Sequence, residues 1–301
     1  MSTEPFGLAV IDKPAGITSH DVVATIRRSL SVRRVGHAGT LDPPATGVLL
    51  VGVGRSTRLL RFLQGTDKAY DGTFVLGSTT TTLDATGEVT GTFDMMSVTP
   101  DEVAAAAASL TGEIDQIPPM VSALHVDGRR LHELAREGVE VERAARPVTV
   151  AAFDVELVGA GTWRFHVECG SGTYVRSLVD DLGRALGGGA HLSSLRRTRV
   201  GRFSIDDAVA LDAFTAQGRG ATLLDPAAMV AHLAQVRVDA ADAASLAHGR
   251  KIAVARPEGA IGPVAVVGPD GELIAVGEIH GTGTLRPDVV LATPIATTPG
   301  E

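Results

Sequence analysis

The chain has 301 residues, of which 44% are apolar and 4% aromatic, so a mainly aliphatic core and one large or two smaller domains are possible. No apolar run reaches the ~18 residues of a membrane span, and the N-terminus lacks the basic and apolar segments of a secretion signal, so we expect a cytoplasmic protein. The single cysteine, Cys169, excludes an internal disulfide and a cysteine-cluster metal site.

Net charge is −8, yet the basic side chains are unevenly placed along the chain. Residues 203–301 carry six basic and 12 acidic side chains, whereas residues 1–202 carry 21 and 23. Local basic patches, more than net charge, attract phosphates. The sequence leaves open whether its arginine groups bind phosphate or lie on solvated helix faces. These groups are Arg27, Arg28, Arg33 and Arg34; Arg55, Arg58 and Arg61; and Arg196, Arg197, Arg199 and Arg202.

Taken in chain order, the hydrophobic pattern predicts a protein with both helices and strands. Helical spacing occurs over residues 22–30, behind an N-cap within 18–21 (TSHD), and over 56–63, 100–110 and 173–186. Apolar runs or alternation predict strands over 7–11, 48–53, 70–76, 87–93, 148–158 and 163–169, with 70–76 and 87–93 paired. Residues 36–47, rich in glycine and proline, are expected to form a loop.

Two further segments differ in composition from the rest. Residues 116–146 combine prolines, an Arg129–Arg130 pair, a short helical stretch over 131–136 and many charges, which is typical of an insertion that projects from the core. After about residue 225 the chain becomes a series of short β-like runs, at 252–254, 264–267 and 273–276, broken by glycine and proline. This pattern predicts a small separate β domain.

Two short motifs suggest other chemistries and fail on inspection. Residues 52–57 (GVGRST) begin like a dinucleotide-binding loop but lack its third glycine. His166 and Glu168 match the H-x-E of a zinc deaminase, but that site needs further cysteine ligands and only Cys169 exists. We therefore expect neither a nucleotide cofactor nor a metal.

Asp42 lies in a loop whose backbone is constrained on both sides. Two prolines follow it, which stiffen the turn and remove two N–H donors, while Gly36, Gly39 and Gly47 permit another backbone to approach closely. An isolated Asp-Pro dipeptide is usually only a turn. Asp42 and the two prolines after it, taken alone, therefore predict a turn rather than a catalytic site.

The longer pattern of residues 36–47 (GHAGTLDPPATG) resembles the catalytic-loop motif of bacterial tRNA pseudouridine-55 synthases, the TruB family of pseudouridine synthases, in its actinobacterial type. Other segments resemble further motifs of that family in the same order: 12–16 (DKPAG), 67–70 (DKAY), 116–124 (QIPPMVSAL), 172–176 (GTYVR) and 189–197 (GAHLSSLRR). Together the matches are highly specific. Pro44, the run 78–82 (STTTT) and Ser171 depart from the family pattern, and the last two concern secondary RNA contacts rather than the reaction.

The resemblance implies a reaction that breaks the N–C glycosidic bond of uridine, turns the base and joins C5 to the ribose, without a cofactor. It assigns Asp42 as the nucleophile, or as electrostatic support for an oxocarbenium-like ribose. It pairs Arg176 with Asp42, because a nearby arginine favours a charged carboxylate. Tyr70 would stack on the flipped uracil and is a candidate for proton transfer from C5. No second carboxylate partner is obvious in the sequence, and none is needed because no water has to be activated.

The resemblance also implies a set of substrate-binding residues. Tyr174 and Leu195 would line the uracil pocket, and Lys13 would brace the loops. His37 would contact the flipped nucleotide or occupy the space that it leaves. One observation is independent of the family: the chain contains only two tyrosines, Tyr70 and Tyr174, and both fall inside these motifs.

The implied fold is α+β, with a large mixed, mainly antiparallel sheet and flanking helices over residues 1–228, and an RNA-gripping insertion over 116–146. Residues 229–301 would form a small β-rich RNA-binding domain similar to the barrel called PUA. The implied partner is the T-stem-loop of tRNA, in which uridine 55 is isomerised. The protein is expected to be a monomer and to contact no membrane. Two rivals remain: a non-catalytic RNA-binding or tRNA-folding protein on the same scaffold, and a glycoside or nucleoside hydrolase that uses Asp42 with a second carboxylic acid.

Overall fold

The structure is a computed structural model that describes residues 4–122, 124–126, 129–131, 134, 137, 139, 141–281 and 283–291. Within these residues no helix is both long enough and apolar enough to cross a membrane. Most of the helix predicted over 131–136 lies outside the described residues, as does the end of the predicted C-terminal domain, 292–301.

The centre of the molecule is a ten-stranded sheet. In chain order, the strands up to residue 210 are β1 (Gly7–Lys13), β2 (Val35–Ala38), β3 (Thr46–Val53), β4 (Lys68–Leu76), β5 (Ser78–Thr80), β6 (Val89–Thr92), β7 (Gly112–Gln116), β8 (His125–Val126), β9 (Arg129–Arg130), β10 (Arg146–Gly159), β11 (Thr162–Cys169), β12 (Ala190–Val200), β13 (Phe203–Ser204) and β14 (Val209–Ala210). The sheet order is β14-β1-β3-β12-β4-β11-β10-β7, with β2 on β3 and β13 on β12. The pairs β1–β14 and β3–β12 are parallel and the others antiparallel, which confirms the predicted mixed sheet.

Helices cover this sheet through apolar faces. They are α1 (Ser19–Leu30), α2 (Pro100–Ser109), α3 (Val175–Ala185) and α4 (Leu211–Ala216), and a 3-10 helix spans Gly54–Leu63. Helices α2 and α3 pack on a core that contains Phe74 and Phe165. Helices α1 and α4 pack on Ile11 and Leu49, which lie on one face of β1 and β3. The predicted N-cap is present, since Thr18 and Asp21 form a capping box at the start of α1.

Two predictions about strands are wrong. Residues 36–38 were expected in a loop but belong to β2, where His37 pairs with Val51 of β3. The strand predicted over 87–93 is found as β6, but it pairs with β5, because β4 is already paired by β11 and β12. The partners of β4 come from much later in the chain, and the alternation within a strand does not specify such long-range choices.

The chain leaves the central sheet after β7 and returns to it with β10, at neighbouring positions. Gln116 ends β7, Arg146 begins β10, and these two residues pair with each other. The short hairpin β8–β9 lies between them. This geometry fits an insertion between two neighbouring strands.

A second, five-stranded sheet follows near the C-terminus. Its elements are β15 (Ala234–Arg237), α5 (Ala240–Ala247), β16 (Ile252–Ala253), β17 (Val264–Val267), β18 (Leu273–His280) and β19 (Thr284–Val290). The strand order is β15-β17-β18-β19-β16. One face of this sheet shares an apolar core with the central part of the chain, because Val276 and Val289 pack in the same cluster as Leu59 and Leu63.

The second arginine group of the sequence attaches this sheet to the 3-10 helix. Arg55 Nη1 donates to the carbonyl of Leu291 at 2.7 Å, and Arg58 Nη1 donates to that of Val290 at 3.0 Å. Arg61 Nη2 lies 3.8 Å from a carboxylate oxygen of Asp288. Residues three apart in a 3-10 helix lie on one side, so the three arginines face β19 together. The sequence did not suggest this role.

Candidate active site

The loop of residues 39–45, here called the Asp42 loop, is tied down on both sides of its carboxylate. The Ser19 hydroxyl accepts a hydrogen bond from the Leu41 N–H at 2.9 Å and donates one to the Leu41 carbonyl at 3.1 Å. On the other side, the Gly16 N–H donates to the Pro43 carbonyl at 2.8 Å. The Asp42 side chain itself remains 42% exposed. The backbone is therefore fixed while the carboxylate stays open to a ligand.

Lys13 joins the end of β1 to the same loop. Its side chain is fully buried, and Nζ donates to the carbonyls of Pro14 at 2.9 Å, Ile17 at 2.7 Å and Pro43 at 3.2 Å. Burial lowers the pKa of Lys13 to about 8, against the opposing effect of the Asp42 charge. These contacts fit the predicted bracing role of Lys13.

Arg176 lies in the first turn of α3 and is 5% exposed. Its Nε is 3.0 Å from Oδ2 of Asp42. Its Nη1 donates to the carbonyl of Thr82 and its Nη2 donates to that of Val121, both at 2.8 Å. The guanidinium therefore joins the Asp42 loop, the turn after β5 and the start of the 116–146 segment, and it has little freedom to move.

A second carboxylate, Asp84, also lies near Arg176, with its Oδ2 at 3.9 Å from the same Nε that meets Asp42. It is buried, and its Oδ1 accepts hydrogen bonds from the Thr82 hydroxyl and from the N–H and hydroxyl of Thr86. The expectation of no second carboxylate is therefore wrong. The local sequence, an aspartate flanked at ±2 by threonines, indicates an Asx-type turn but does not indicate an ionic partner. These contacts hold Asp84 as an ionic partner of Arg176 and away from water.

Tyr70 and Tyr174 approach the carboxylate from two elements. Tyr70 lies on β4 and is buried in the same apolar cluster as Leu41, and Leu195 of β12 packs against that cluster. Burial raises the pKa of the Tyr70 hydroxyl, while the charge of Arg197 opposes that rise. Tyr174 occupies the N-cap position of α3, and burial also raises its pKa.

The main chain of Tyr174 is fixed by one side chain. The Tyr174 N–H donates to Oε1 of Gln116 at 2.8 Å, and Nε2 of Gln116 donates to the Tyr174 carbonyl at 3.2 Å. Gln116 is almost fully buried at the end of β7. This pair of hydrogen bonds sets the start of the 116–146 segment against the start of α3.

His37 lies on β2, five residues before Asp42, and its ring meets that of His20 edge-to-face at 5.4 Å. Burial is the main cause that lowers the pKa of His37 to about 4, so the ring is uncharged near neutral pH. Its Nδ1 is buried and has no hydrogen-bond partner within the described part of the chain. His37 is thus placed at the N-terminal side of the Asp42 loop, next to the first turn of α1.

Comparison with known proteins shows the family of the chain. Family models match residues 27–175 (TruB family pseudouridylate synthase, N terminal domain), 176–235 (tRNA pseudouridylate synthase B C-terminal domain) and 233–292 (tRNA Pseudouridine synthase II, C terminal). The tRNA pseudouridine synthase B of Rhodococcus jostii is 50% identical over 280 residues, which cover 91% of this chain and 90% of that protein. The chain belongs to the TruB family of pseudouridine synthases.

Other relatives and solved structures agree with the TruB assignment. The tRNA pseudouridine synthase B of Thermobifida fusca is 46% identical over 294 residues, 95% of this chain and 98% of that protein. A chain in the crystal structure of a Cbf5-Nop10-Gar1 complex is 29% identical, with a TM-score of 0.74 over 96% of this chain and 86% of its own. A chain in the structure of an H/ACA RNP bound to a substrate RNA containing 2′-deoxyuridine has a TM-score of 0.73 at 26% identity, with the same coverage.

The third arginine group of this TruB-family chain is dispersed by the structure. Arg196 pairs with Asp12 at 2.8 Å, and Arg199 pairs with Glu168 at 2.9 Å. Arg197 is fully buried and points its guanidinium at the Asp42 loop. Three arginines that are close in sequence thus make different contacts, and the prediction of phosphate binding does not describe Arg197. No sequence pattern distinguishes Arg197 from the arginines beside it, so its place in the site could not be predicted.

Proposed function

We propose that this chain converts uridine to pseudouridine at position 55 in the T-loop of tRNA, with Asp42 as the nucleophile. The observation that carries the proposal is the 3.0 Å ion pair between Asp42 and the buried Arg176, beside Tyr70 and Tyr174, in a chain of the TruB family. Relatives named tRNA pseudouridine synthase B support tRNA as the substrate.

The proposed reaction is an isomerisation with no net gain or loss of atoms. An Asp42 oxygen attacks C1′ of the ribose, and the electron pair of the C1′–N1 bond passes to the uracil ring. After the ring turns, C5 attacks C1′ and releases the carboxylate. C5 then loses its proton and N1 gains one, so no water, oxidant or reductant is consumed.

Arg176 supports the free carboxylate at the start and end of this cycle. Its guanidinium is fixed by two backbone carbonyls before any substrate arrives. Fixed charges of this kind stabilise developing charge without having to reorganise during the reaction. Because Asp42 is partly exposed, one of its oxygens remains free to face the ribose while the other meets Arg176.

Tyr70 acts as a proton relay rather than as a simple base in this proposal. Since burial raises its pKa, the hydroxyl is protonated near neutral pH. A neutral phenol can accept the C5 proton only if it passes its own proton on in the same step. N1 is the atom that needs a proton, so the relay runs from C5 through the Tyr70 oxygen to N1, directly or through water.

Access to Asp42 requires that the uridine leaves the stacked RNA loop. Stacking of a base on an aromatic ring is worth about 1–3 kcal/mol, which offsets much of the unstacking cost. Tyr70 supplies that ring, with Tyr174 and Leu195 beside it as the walls of the uracil pocket. His37, which is uncharged near neutral pH, contacts the flipped nucleotide or fills its place.

The hydrolase alternative is disfavoured by the position of Asp84. A hydrolase needs a second carboxylic acid that faces the leaving group or a water molecule. Asp84 is buried and its Oδ1 already accepts hydrogen bonds from Thr82 and Thr86, so this carboxylate serves the turn and the ion pair with Arg176 rather than a water molecule.

Release of tritium from tRNA that carries 5-tritiated uridine tests the proposal. We expect the wild-type chain to release tritium and to leave an RNA of unchanged mass. Asp42→Asn should lower the single-turnover rate by about 10⁴-fold or more and leave the Kd for tRNA unchanged. Asp71→Asn makes the same change on the exposed side of β4 and should keep the wild-type rate. Free uracil in place of tritium would support the hydrolase, and binding without either product would support the non-catalytic protein.

A further inference from the structure

Arg197 is the largest fully buried side chain in the described part of the chain. Its Nε donates to the carbonyl of Val48 at 2.7 Å, Nη1 donates to that of Thr40 at 3.3 Å and Nη2 donates to that of Gly39 at 3.0 Å. Gly39 and Thr40 precede Asp42, and Val48 follows the end of its loop. One guanidinium therefore holds both ends of the Asp42 loop.

The backbone of Arg197 closes the same loop. Arg197 pairs with Gly47 in the parallel β3–β12 pair. A Cβ on Gly47, whose φ is +101°, would lie 2.2 Å from the Arg197 carbonyl oxygen. Only glycine permits this approach, so the position of the loop is set against β12 by main chain and side chain together.

The charge of Arg197 is not neutralised by a neighbouring acid. Among the residues that the structure describes, Arg196 and Arg199 each have a carboxylate oxygen within 3 Å, whereas Arg197 has none within 4.0 Å. A buried charge without an ionic partner is costly, so a residue needed for packing alone would be aliphatic at this position. The field of this charge reaches the site. Burial is the main cause of the lowered pKa of Lys13, His37 and Lys68, and the charge of Arg197 adds to it, whereas the same charge opposes the rise that burial causes in the pKa of Tyr70.

Arg197 also lies directly opposite Tyr70, because these two residues pair across β12 and β4. Paired residues of neighbouring strands place their side chains on the same face of the sheet. The charge of Arg197 accordingly acts on the Tyr70 hydroxyl, where it opposes the rise in pKa that burial causes. Tyr70 belongs to β4, which lies next to β12 in the sheet, so this contact joins the Asp42 loop to a different strand.

We propose that Arg197 is a positioning residue for pseudouridine formation, which holds the Asp42 loop and the Tyr70 hydroxyl in one fixed geometry around the bound uridine. This inference rests on the proposed function, since it concerns the same site. It assigns Arg197 no contact with the substrate. Its loss separates the nucleophile from the proton relay without removing either.

The two tyrosines of the chain allow a test that does not depend on activity. Biosynthetic replacement of tyrosine by difluorotyrosine, whose phenol ionises nearer neutral pH, labels only Tyr70 and Tyr174. Tyr174→Phe leaves Tyr70 as the one fluorine NMR reporter. In this background Arg197→Met should raise the ionisation midpoint of the reporter by about 1–3 units, since a neighbouring positive charge favours the phenolate. Activity is measured on Arg197→Met with natural tyrosine and with Tyr174 intact. Its single-turnover rate of tritium release should be about 100-fold below that of wild type at an unchanged Kd for tRNA, as expected for a loss of alignment.

Phe214→Leu is the control for a general loss of stability, because Phe214 is buried in α4 and packs in the cluster of α1. It should lower the melting temperature but leave the fluorine midpoint and the rate unchanged. A folded Arg197→Met variant with an unchanged midpoint would overturn the inference. If wild type released no tritium, the proposed function would fail, yet the midpoint would still decide whether Arg197 acts on Tyr70.

Arg197→Lys keeps a positive charge and serves if the methionine variant does not fold. A lysine ammonium lacks the planar set of donors that reaches both ends of the loop. The rate of tritium release by Arg197→Lys should therefore lie between the rates of wild type and Arg197→Met. The wild-type rate in a folded Arg197→Lys protein would also overturn the inference.

Discussion

Replacement of Arg176 by methionine tests the central contact of the site. Methionine keeps most of the length and the apolar stem of the side chain but removes the guanidinium. The change leaves the carbonyls of Thr82 and Val121 without the Arg176 donors and removes the cation that lies near both Asp42 and Asp84. Since the arginine side chain is 6% exposed, water cannot easily replace those contacts.

The size of the effect follows from these contacts. Breaking a buried ion pair by removing one partner costs about 3–5 kcal/mol. The lower end applies here, because Asp42 is 42% exposed and Asp84 keeps its threonine donors. We therefore expect the free energy of unfolding to fall by about 3 kcal/mol. The loss of a preorganised charge should also lower the single-turnover rate by about 10²–10³-fold.

Urea unfolding followed by circular dichroism measures the first quantity, and rapid-quench tritium release from labelled tRNA measures the second. Arg184→Met is the matched control, because Arg184 lies on the same helix but pairs with Asp180, at 2.9 Å, and not with Asp42. It should change the rate little. An Arg176→Met protein that turns over like wild type, or unfolds at the wild-type urea concentration, would refute the reasoning.

Three further predictions concern single residues. Tyr70→Phe keeps the stacking ring but loses the hydroxyl of the proton relay, so the single-turnover rate should fall by about 10²–10⁴-fold while the affinity for tRNA is kept. A variant as fast as wild type would refute the relay role of Tyr70. Gly47→Ala should lower the melting temperature strongly, because its Cβ would lie 2.2 Å from the Arg197 carbonyl oxygen; an unchanged temperature would contradict that packing. The hydrogen bond to Asp71 raises the pKa of His166. The pair of protonated His166 and Asp71 therefore stabilises the folded state fully below about pH 6.5, and this stabilisation is lost as pH rises through the folded-state pKa. His166→Gln should therefore reduce the melting temperature at low but not at high pH, and a pH-independent difference would argue against the charged pair.

Much of the local structure could be predicted because its causes are local. The N-cap at Thr18, the periodicity of α1 and the apolar run of β3 all act within a few residues. Strand pairing could not be predicted in the same way. The alternation over 70–76 correctly indicates a strand, but whether β6 or β11 pairs with it depends on residues that are distant in sequence.

For the site, the sequence motifs predict that Asp42, Arg176 and Tyr70 lie together, and in the structure Nε of Arg176 is 3.0 Å from Oδ2 of Asp42. Asp84 was missed because its function depends on facing Arg176 across a turn. An aspartate among threonines has the same local pattern whether or not a guanidinium lies opposite.

The sequence by itself determined the family and the nature of most elements, and it predicted the Asp42 loop as the catalytic loop, since all of these depend on residue type and spacing. Only the tertiary structure decided the roles of the arginines. Arg55 and Arg58 hold the C-terminal sheet, while Arg197 is buried beneath the Asp42 loop, although all three lie in equally basic stretches. The physical reason is that the role of a charged side chain depends on the groups that surround it, and those groups come from strands and helices that are distant in the sequence.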